Sequence, residues 1–297
     1  MFKGVITALV TPFRGDAVDE EALRRLVDEQ IRAGIDGFVP VGTTGESPTV
    51  SVEEHIRIIK IVVEETRKRV PVVAGTGANS TREAIELTLE ARAVGADGTL
   101  QVTPYYNRPT QDGLFRHFKA VADAASLPIV VYNVPGRTGC DLLPETVARL
   151  CEVPLVVGIK EATGSAQRAA QIISRVGDRM VVLSGDDATA FPLYALGAQG
   201  CISVVSNVAP ADMAAMWDAA AAGDWKRARA LHYRLFPLLE GLFIESNPIP
   251  VKAAMGLMGL LEPVYRLPMT PPSPANLARI AKVLEDIGLL RSVPVAG

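Results

Sequence analysis

Short apolar segments recur along the first two thirds of the chain, and segments with helical spacing separate them. Two examples are "PIVVYN" from Pro128 and "VVGIK" from Val156. These segments do not alternate apolar with polar positions, so each is hydrophobic on both faces, as a strand of a parallel sheet covered by helices must be. Six further segments bring the number to eight: "GVITALV" from Gly4, "GFVPVG" from Gly37, "PVVAG" from Pro71, "GTLQVTP" from Gly98, "MVVLSG" from Met180 and "GCISVVS" from Gly200.

The segments between the predicted strands carry signals for the start and end of helices. Asp19 can cap a helix that stops at Gly34, and Ser51 with Glu54 forms a capping-box pattern. Pro144 stands where the first helical position favours proline. Eight strand–helix units in roughly 220 residues are typical of a (β/α)8 barrel. The sequence therefore predicts an α/β fold, a (β/α)8 TIM barrel, with an open doubly wound sheet as the alternative.

The pattern changes beyond Gly223, because helical segments follow with no strand between them. These segments are "DWKRARALHYRLFPLL", "PIPVKAAMGLMGLL" and "SPANLARIAKVLEDIGLL". The sequence thus predicts two domains. A catalytic barrel covers residues 1–223, and a C-terminal helical domain covers residues 224–297.

Composition narrows the class of ligand and the compartment. A formal net charge of -3 without a Lys/Arg cluster gives no field that would attract nucleic acid or an anionic membrane. No apolar run reaches the length of about 18 residues that a membrane helix needs, and no leader pattern is present. The three cysteines lack CxxC spacing and the three histidines stand apart from one another. We therefore expect small-molecule substrates, no metal, no membrane or nucleic-acid partner, and a cytoplasmic location.

One lysine ends a predicted strand. Active sites of such barrels lie at the C-terminal ends of the strands, so a polar residue at this position is a candidate for catalysis. Lys160 ends the sixth apolar segment. Desolvation there disfavours the charged ammonium and frees a neutral amine to attack a carbonyl. Lys160 is a candidate Schiff-base nucleophile, and the alternative is that it reaches solvent or pairs with Glu161.

Three other strand ends supply groups that suit imine chemistry. The turn "GTTGE", residues 42–46, offers hydroxyl and backbone N–H groups that can cradle a carboxylate, or it is an ordinary turn. Tyr132 ends the strand beside that of Lys160 and can shuttle protons, or it only fills the barrel top. Arg137 can bind a second carboxylate, or it pairs with Asp141.

Four motifs together resemble a known family. "GTTGE", "YNVPGRTG", "GIKEATG" and "NPIPVK", in this order and spacing, are similar to the dihydrodipicolinate synthase family, within the pyruvate-dependent class I aldolases that include N-acetylneuraminate lyase. The resemblance covers nearly the whole chain. It implies a lyase that condenses pyruvate with L-aspartate 4-semialdehyde in diaminopimelate and lysine biosynthesis. It also implies a homotetramer built as a dimer of dimers, and no cofactor besides the covalent pyruvate imine.

The resemblance assigns catalytic residues. It implies that Lys160 forms the imine and that Tyr132 is the general acid/base. Thr43 and Thr44 would hold the pyruvate carboxylate. Thr44 would also link Tyr132 to Tyr106 in a proton relay, and Tyr106 would reach into the site of the neighbouring subunit.

The resemblance also implies residues that select the second substrate. Arg137 would bind the carboxylate of the semialdehyde, and Gly185 and Ile202 would line the pocket through their backbone. Neuraminate lyases lack an arginine in this loop. Arg137 therefore favours the synthase over the alternative, a 2-keto-3-deoxy sugar acid aldolase or N-acetylneuraminate lyase that uses the same imine.

A possible allosteric site departs from the family pattern. Relatives inhibited by lysine bind it at a subunit interface with residues matched here by Ser47, His55, Asn79, Glu83 and Tyr105. Val52 stands where sensitive bacterial enzymes usually carry histidine, and Pro48 replaces a small residue. Loss of the ring at Val52 removes a polar contact for the ligand. We therefore expect weak or absent inhibition by lysine.

Overall fold

The computed structural model describes residues 2–290. These residues contain ten strands and twelve α-helices. The strands are β1 (Gly4–Ala8), β2 (Phe13–Arg14), β3 (Ala17–Val18), β4 (Gly37–Val39), β5 (Val73–Gly75), β6 (Gly98–Val102), β7 (Ile129–Asn133), β8 (Val156–Glu161), β9 (Val181–Ser184) and β10 (Gly200–Ser203). The helices of the barrel are α1 (Glu20–Arg32), α2 (Val52–Thr66), α3 (Thr81–Ala93), α4 (Gln111–Ala125), α5 (Pro135–Thr138), α6 (Pro144–Leu150), α7 (Ala166–Val176), α8 (Asp187–Ala195) and α9 (Pro210–Ala221). The helices of the tail are α10 (Trp225–Gly241), α11 (Ile249–Leu257) and α12 (Pro274–Asp286).

Eight strands form one parallel sheet that closes on itself. Their order is β4-β1-β10-β9-β8-β7-β6-β5. A parallel bridge between Phe38 and Val72 joins the two edges, β4 and β5. The predicted (β/α)8 TIM barrel is confirmed, and the alternative of an open sheet is wrong. The remaining strands, β2 and β3, pair as a small antiparallel hairpin outside the barrel.

The strands are buried on both faces, as their composition predicted. All five residues of β7 are buried, for example, because one face packs into the barrel interior and the other against helices. Successive side chains of a strand point to opposite faces. At the end of each barrel strand, one residue therefore faces the mouth and its neighbour faces the helical layer.

The capping signals place the starts of the helices. The Asp19 carboxylate accepts a hydrogen bond from the Ala22 amide at 3.1 Å. The Ser51 hydroxyl accepts from the Glu54 amide at 3.2 Å, while the Glu54 carboxylate accepts from the Ser51 amide at 3.1 Å, so the capping box is complete. Pro144 is the first residue of α6.

The C-terminal helices follow the barrel with no strand between them in the described residues. Helix α10 packs against α8 and α9, and α12 packs against α10 and α11. The division into domains at residue 223 stays a prediction, and residues 291–297 of the predicted helical domain lie outside the described residues. No helix within residues 2–290 is long and apolar enough to cross a membrane.

Candidate active site

Lys160 lies near the C-terminal end of β8 and is buried at the mouth of the barrel. Its exposure is 5%. The strand register places it beside Tyr132 of β7, and its Nζ lies 4.3 Å from the centroid of the Tyr132 ring. Within residues 2–290, Lys160 has no carboxylate at ion-pair distance and donates no hydrogen bond. Its nitrogen is therefore not held in an ion pair and can reach a carbonyl carbon in the mouth.

Glu161 follows Lys160 directly, but its carboxylate forms hydrogen bonds with other residues. One carboxylate oxygen accepts from Asn133 Nδ2 at 3.1 Å, and the other accepts from the Thr163 amide at 2.7 Å. Because successive strand residues face opposite sides, Glu161 points into the helical layer while Lys160 points into the mouth. The structure does not contain the alternative pair of Lys160 with Glu161.

Gly185 makes room for the side chain of Lys160. A Cβ at this position would lie 2.9 Å from both Cγ and Cε of Lys160, and 2.6 Å from the Cβ of Ala162. Any other residue would displace the lysine, so glycine is needed directly after β9. Ile202 lies on the neighbouring β10, paired with Ile6 of β1, and its side chain is buried.

The turn at residues 42–46 follows β4. It closes through a hydrogen bond from the Gly45 amide to the Gly42 carbonyl at 3.1 Å. A Cβ on Gly45 would lie 2.9 Å from the backbone of Val41, so only glycine fits there. Among the described residues, the amides of Thr43 and Thr44 donate to no other group. These two N–H groups are available to a small carboxylate.

Asn247, for which the sequence alone predicts no role, connects this turn with Arg137. Its side-chain amide donates to the Thr44 hydroxyl at 2.9 Å, and its carbonyl accepts from Arg137 Nη2 at 3.2 Å. The alternative partner of Arg137, Asp141, is held instead by two hydrogen bonds from Arg168 at 2.8 Å. That guanidinium lowers the pKa of Asp141. Arg137 thus stays available at the mouth. The signal for Asn247 was its place in the motif "NPIPVK".

Tyr106 lies on the loop between β6 and α4, at the surface of the chain. It is 90% exposed, and its φ of 72° lies in the left-handed region that few non-glycine residues occupy. Its amide donates to the Thr138 carbonyl at 3.3 Å, which fixes this loop against α5. Within residues 2–290 of one chain, no hydrogen bond connects Tyr106 with Thr44 or Tyr132.

A cavity of about 460 Å³ joins the active-site residues to the possible allosteric residues. Its lining includes Thr43, Tyr132 and Arg137 on one side and Ser47, His55, Glu83 and Tyr105 on the other. Asn79 lies beside it and donates to the Tyr105 carbonyl at 3.3 Å. The buried His55 ring is bonded to the Gly75 carbonyl at 2.8 Å, and burial lowers its pKa. Pro48 and Val52 also line the cavity, and Val52 is exposed.

The groups at the mouth suit imine chemistry on a 2-keto acid. An unpaired amine can attack the keto carbon, a phenol beside it can move protons, and a turn with free amides can hold the carboxylate. Among residues 2–290, no group of three or more His, Cys, Asp and Glu side chains could hold a metal ion.

Comparison with known proteins gives long matches. Residues 1–287 match the model of the dihydrodipicolinate synthetase family. A 4-hydroxy-tetrahydrodipicolinate synthase of Geotalea uraniireducens (strain Rf4) is 57% identical over 98% of this chain and 100% of that protein. The chloride-inhibited dihydrodipicolinate synthase from Acinetobacter baumannii, solved in complex with pyruvate, has a TM-score of 0.96 at 48% identity, over 98% of this chain and 100% of that one. A monomeric dihydrodipicolinate synthase variant has a TM-score of 0.96 at 43% identity, over 97% and 98% of the two chains.

Proposed function

The chain belongs to the dihydrodipicolinate synthetase family and has the activity of a 4-hydroxy-tetrahydrodipicolinate synthase, a lyase of lysine and diaminopimelate biosynthesis, and we propose that Lys160 forms an imine with pyruvate as its first step. The observation that carries this proposal is that Lys160 is buried beside Tyr132 at the end of the barrel strands and has no counter-ion among residues 2–290. The reaction needs no cofactor besides the covalent imine, because the amine of Lys160 itself activates the keto acid.

Pyruvate binds with its carboxylate on the turn of residues 42–46. The amides of Thr43 and Thr44 and the Thr43 hydroxyl donate to the carboxylate oxygens, which directs the keto carbon toward Lys160. The amine attacks this carbon, a C–N bond forms, and the carbonyl oxygen leaves as water. Tyr132 supplies and removes the protons of this step from its place beside the amine.

The second half of the reaction uses Arg137. Loss of a proton from the pyruvyl methyl group gives an enamine, whose carbon attacks the aldehyde of L-aspartate 4-semialdehyde. The Arg137 guanidinium holds the carboxylate of this substrate. The substrate amine then attacks the imine carbon, the ring closes, and the amine of Lys160 leaves. Gly185 and Ile202 form the wall of the pocket.

The assembly that fits this site is an oligomer. Tyr106 is 90% exposed and has a left-handed backbone, and we propose that its side chain completes the site of a neighbouring subunit in a homotetramer. Thr44 would then relay protons between Tyr132 and the partner subunit's Tyr106.

A cytoplasmic location remains a prediction. The same is true of pyruvate and L-aspartate 4-semialdehyde as the physiological substrates.

A panel of acceptors tests the proposed activity. Pyruvate consumption by the purified protein is measured with L-aspartate 4-semialdehyde, N-acetylmannosamine and glyceraldehyde. Turnover confined to the semialdehyde is the expected result, because Arg137 binds a carboxylate that the sugar aldehydes lack. Turnover with a sugar aldehyde and none with the semialdehyde would contradict the proposal.

A further inference from the structure

Two residues in the left-handed backbone region stand at the two ends of the pyruvate turn. Val41 has a φ of 47° and Glu46 a φ of 55°. This conformation is uncommon for non-glycine residues, and for a β-branched residue it is an outlier. Such backbone strain persists only where surrounding contacts impose it. The conformation of the turn therefore depends on contacts that hold its two ends, in addition to the hydrogen bonds within it.

An ion pair from the helical tail holds the end of the turn. Lys252 of α11 donates to Glu46 Oε1 at 2.5 Å, across 206 positions of sequence. Both side chains are inaccessible to solvent, with exposures of 0% and 1%. The Arg266 amide approaches the other Glu46 oxygen at 3.4 Å. The Phe13 ring covers the ammonium group, with its centroid 4.3 Å from Lys252 Nζ.

Burying two charges costs free energy, so the burial of this pair is weak evidence for a purely stabilising role. Burial lowers the pKa of Lys252, and the Glu46 carboxylate opposes that shift. Buried ion pairs can often be replaced by apolar residues without loss of stability, whereas removal of one partner leaves an uncompensated charge. What such a pair does supply is a fixed position for its two partners, because a buried ammonium and carboxylate cannot separate without leaving two uncompensated charges.

We propose that Lys252 and Glu46 are positioning residues for the pyruvate turn. The pair fixes Glu46 at its strained φ and thereby aims the free amides of Thr43 and Thr44 at the pyruvate carboxylate. Asn247, from the same tail, acts in the same direction because it bonds the Thr44 hydroxyl. This inference rests on the proposed role of the turn in binding pyruvate, and it assigns a function to the motif "NPIPVK" and to the last residue of "GTTGE".

The test separates pyruvate binding from folding. Lys160 is trapped with pyruvate and borohydride over a range of pyruvate concentrations, without an acceptor, in the wild-type chain and in Lys252→Met. We expect the pyruvate concentration for half-maximal trapping to rise on the order of tenfold, because small displacements of binding groups have large effects. The KM for the semialdehyde changes by less than about twofold, since Arg137 lies on another loop.

Two further variants keep the test decisive. Lys252→Met/Glu46→Gln restores the charge balance, so its melting temperature recovers toward wild type while half-maximal trapping still needs the higher pyruvate concentration. If Lys252→Met does not fold, Glu46→Gln alone keeps the size of the side chain and shows a smaller rise in the same direction. The control is Arg57→Met, which removes an exposed pair with Glu20 and leaves trapping unchanged.

Two outcomes would overturn the proposal. One is a lower melting temperature with an unchanged pyruvate dependence, because a merely structural pair behaves in that way. The other is a pyruvate dependence that returns to wild type in the double variant, because charge balance alone would then suffice. Absence of label on wild-type Lys160 refutes the imine mechanism instead, and the KM for pyruvate in steady-state turnover then still decides the role of the pair.

Discussion

Lys160 and Lys252 are both buried lysines, and the difference between their surroundings is the physical basis of the different roles proposed for them. Each side-chain nitrogen lies 4.3 Å from the centroid of an aromatic ring, Tyr132 in one case and Phe13 in the other. Lys252 has a carboxylate at 2.5 Å, whereas Lys160 has none at ion-pair distance in the described residues. Burial and an aromatic neighbour are therefore common to both, and the counter-ion distinguishes the proposed positioning lysine from the proposed nucleophile.

The positions of the two lysines in the fold agree with the difference in their counter-ions. Lys160 stands at the end of β8 and faces the barrel mouth, with Gly185 leaving space around its side chain. Lys252 stands on α11, in the tail, and its side chain bonds to Glu46, the last residue of the pyruvate turn. A strand end in the barrel mouth exposes a side chain to substrate, but a helix packed behind a loop does not.

The largest expected effect is that of Lys160→Met. Without the amine no imine forms, so we expect kcat to fall by at least about 10⁴-fold. Lys252→Met at saturating pyruvate should keep kcat within about tenfold of wild type, because its effect is on pyruvate binding. Steady-state rates of both variants check this. Turnover that survives in Lys160→Met and vanishes in Lys252→Met would contradict the roles proposed for the two lysines.

Tyr132→Phe makes the ring beside Lys160 resemble the ring beside Lys252. The aromatic contact stays and only the hydroxyl is lost. If the hydroxyl moves protons, kcat falls by about 10²- to 10⁴-fold. Tyr233→Phe, on the exposed face of α10, is the matched control and should leave kcat unchanged. A wild-type rate in Tyr132→Phe would mean that the ring serves only to pack the lysine.

Arg137→Ala separates the chemistry of Lys160 from that of the second substrate. The loss of a charged hydrogen-bond donor should lower kcat/KM for the semialdehyde by about 10- to 100-fold. Trapping of pyruvate on Lys160 should persist, because the amine and Tyr132 are untouched. The exposed Arg149→Ala is the control. Loss of both turnover and trapping would mean that Arg137 maintains the structure of the mouth.

The smallest effect is expected from free L-lysine. The cavity offers Glu83 and Tyr105 to such a ligand, but Val52 gives no polar contact and His55 is bonded to Gly75. We expect millimolar L-lysine to change the rate by less than about twofold, and Val52→His to increase the inhibition. Strong inhibition of the wild-type enzyme in an activity titration would contradict this expectation.

The barrel and the strand-end residues could be predicted because their signals are local. Each strand is a continuous apolar run, and Lys160 and Tyr132 follow directly from where two runs end. The hairpin formed by Phe13–Arg14 and Ala17–Val18 escaped prediction because strands of two residues have no periodicity. The roles of Thr43, Gly185 and Tyr106 came from the family resemblance, and the structure adds the physical reason for the glycine.

The contacts of the tail with the mouth could not be predicted from local patterns. Asn247 meets Thr44 across 203 positions, and Lys252 meets Glu46 across 206. Such contacts depend on how α11 packs behind the turn, which no spacing in the sequence encodes. The same limit applies to Arg168, whose bond to Asp141 leaves Arg137 available.

Borohydride reduction in the presence of pyruvate, followed by mass mapping of the peptides, tests the distinction between the two lysines most directly. We expect a reduced pyruvyl adduct on the peptide that contains Lys160 and none on the peptide that contains Lys252. A label on Lys252, or no label on any lysine, would contradict it.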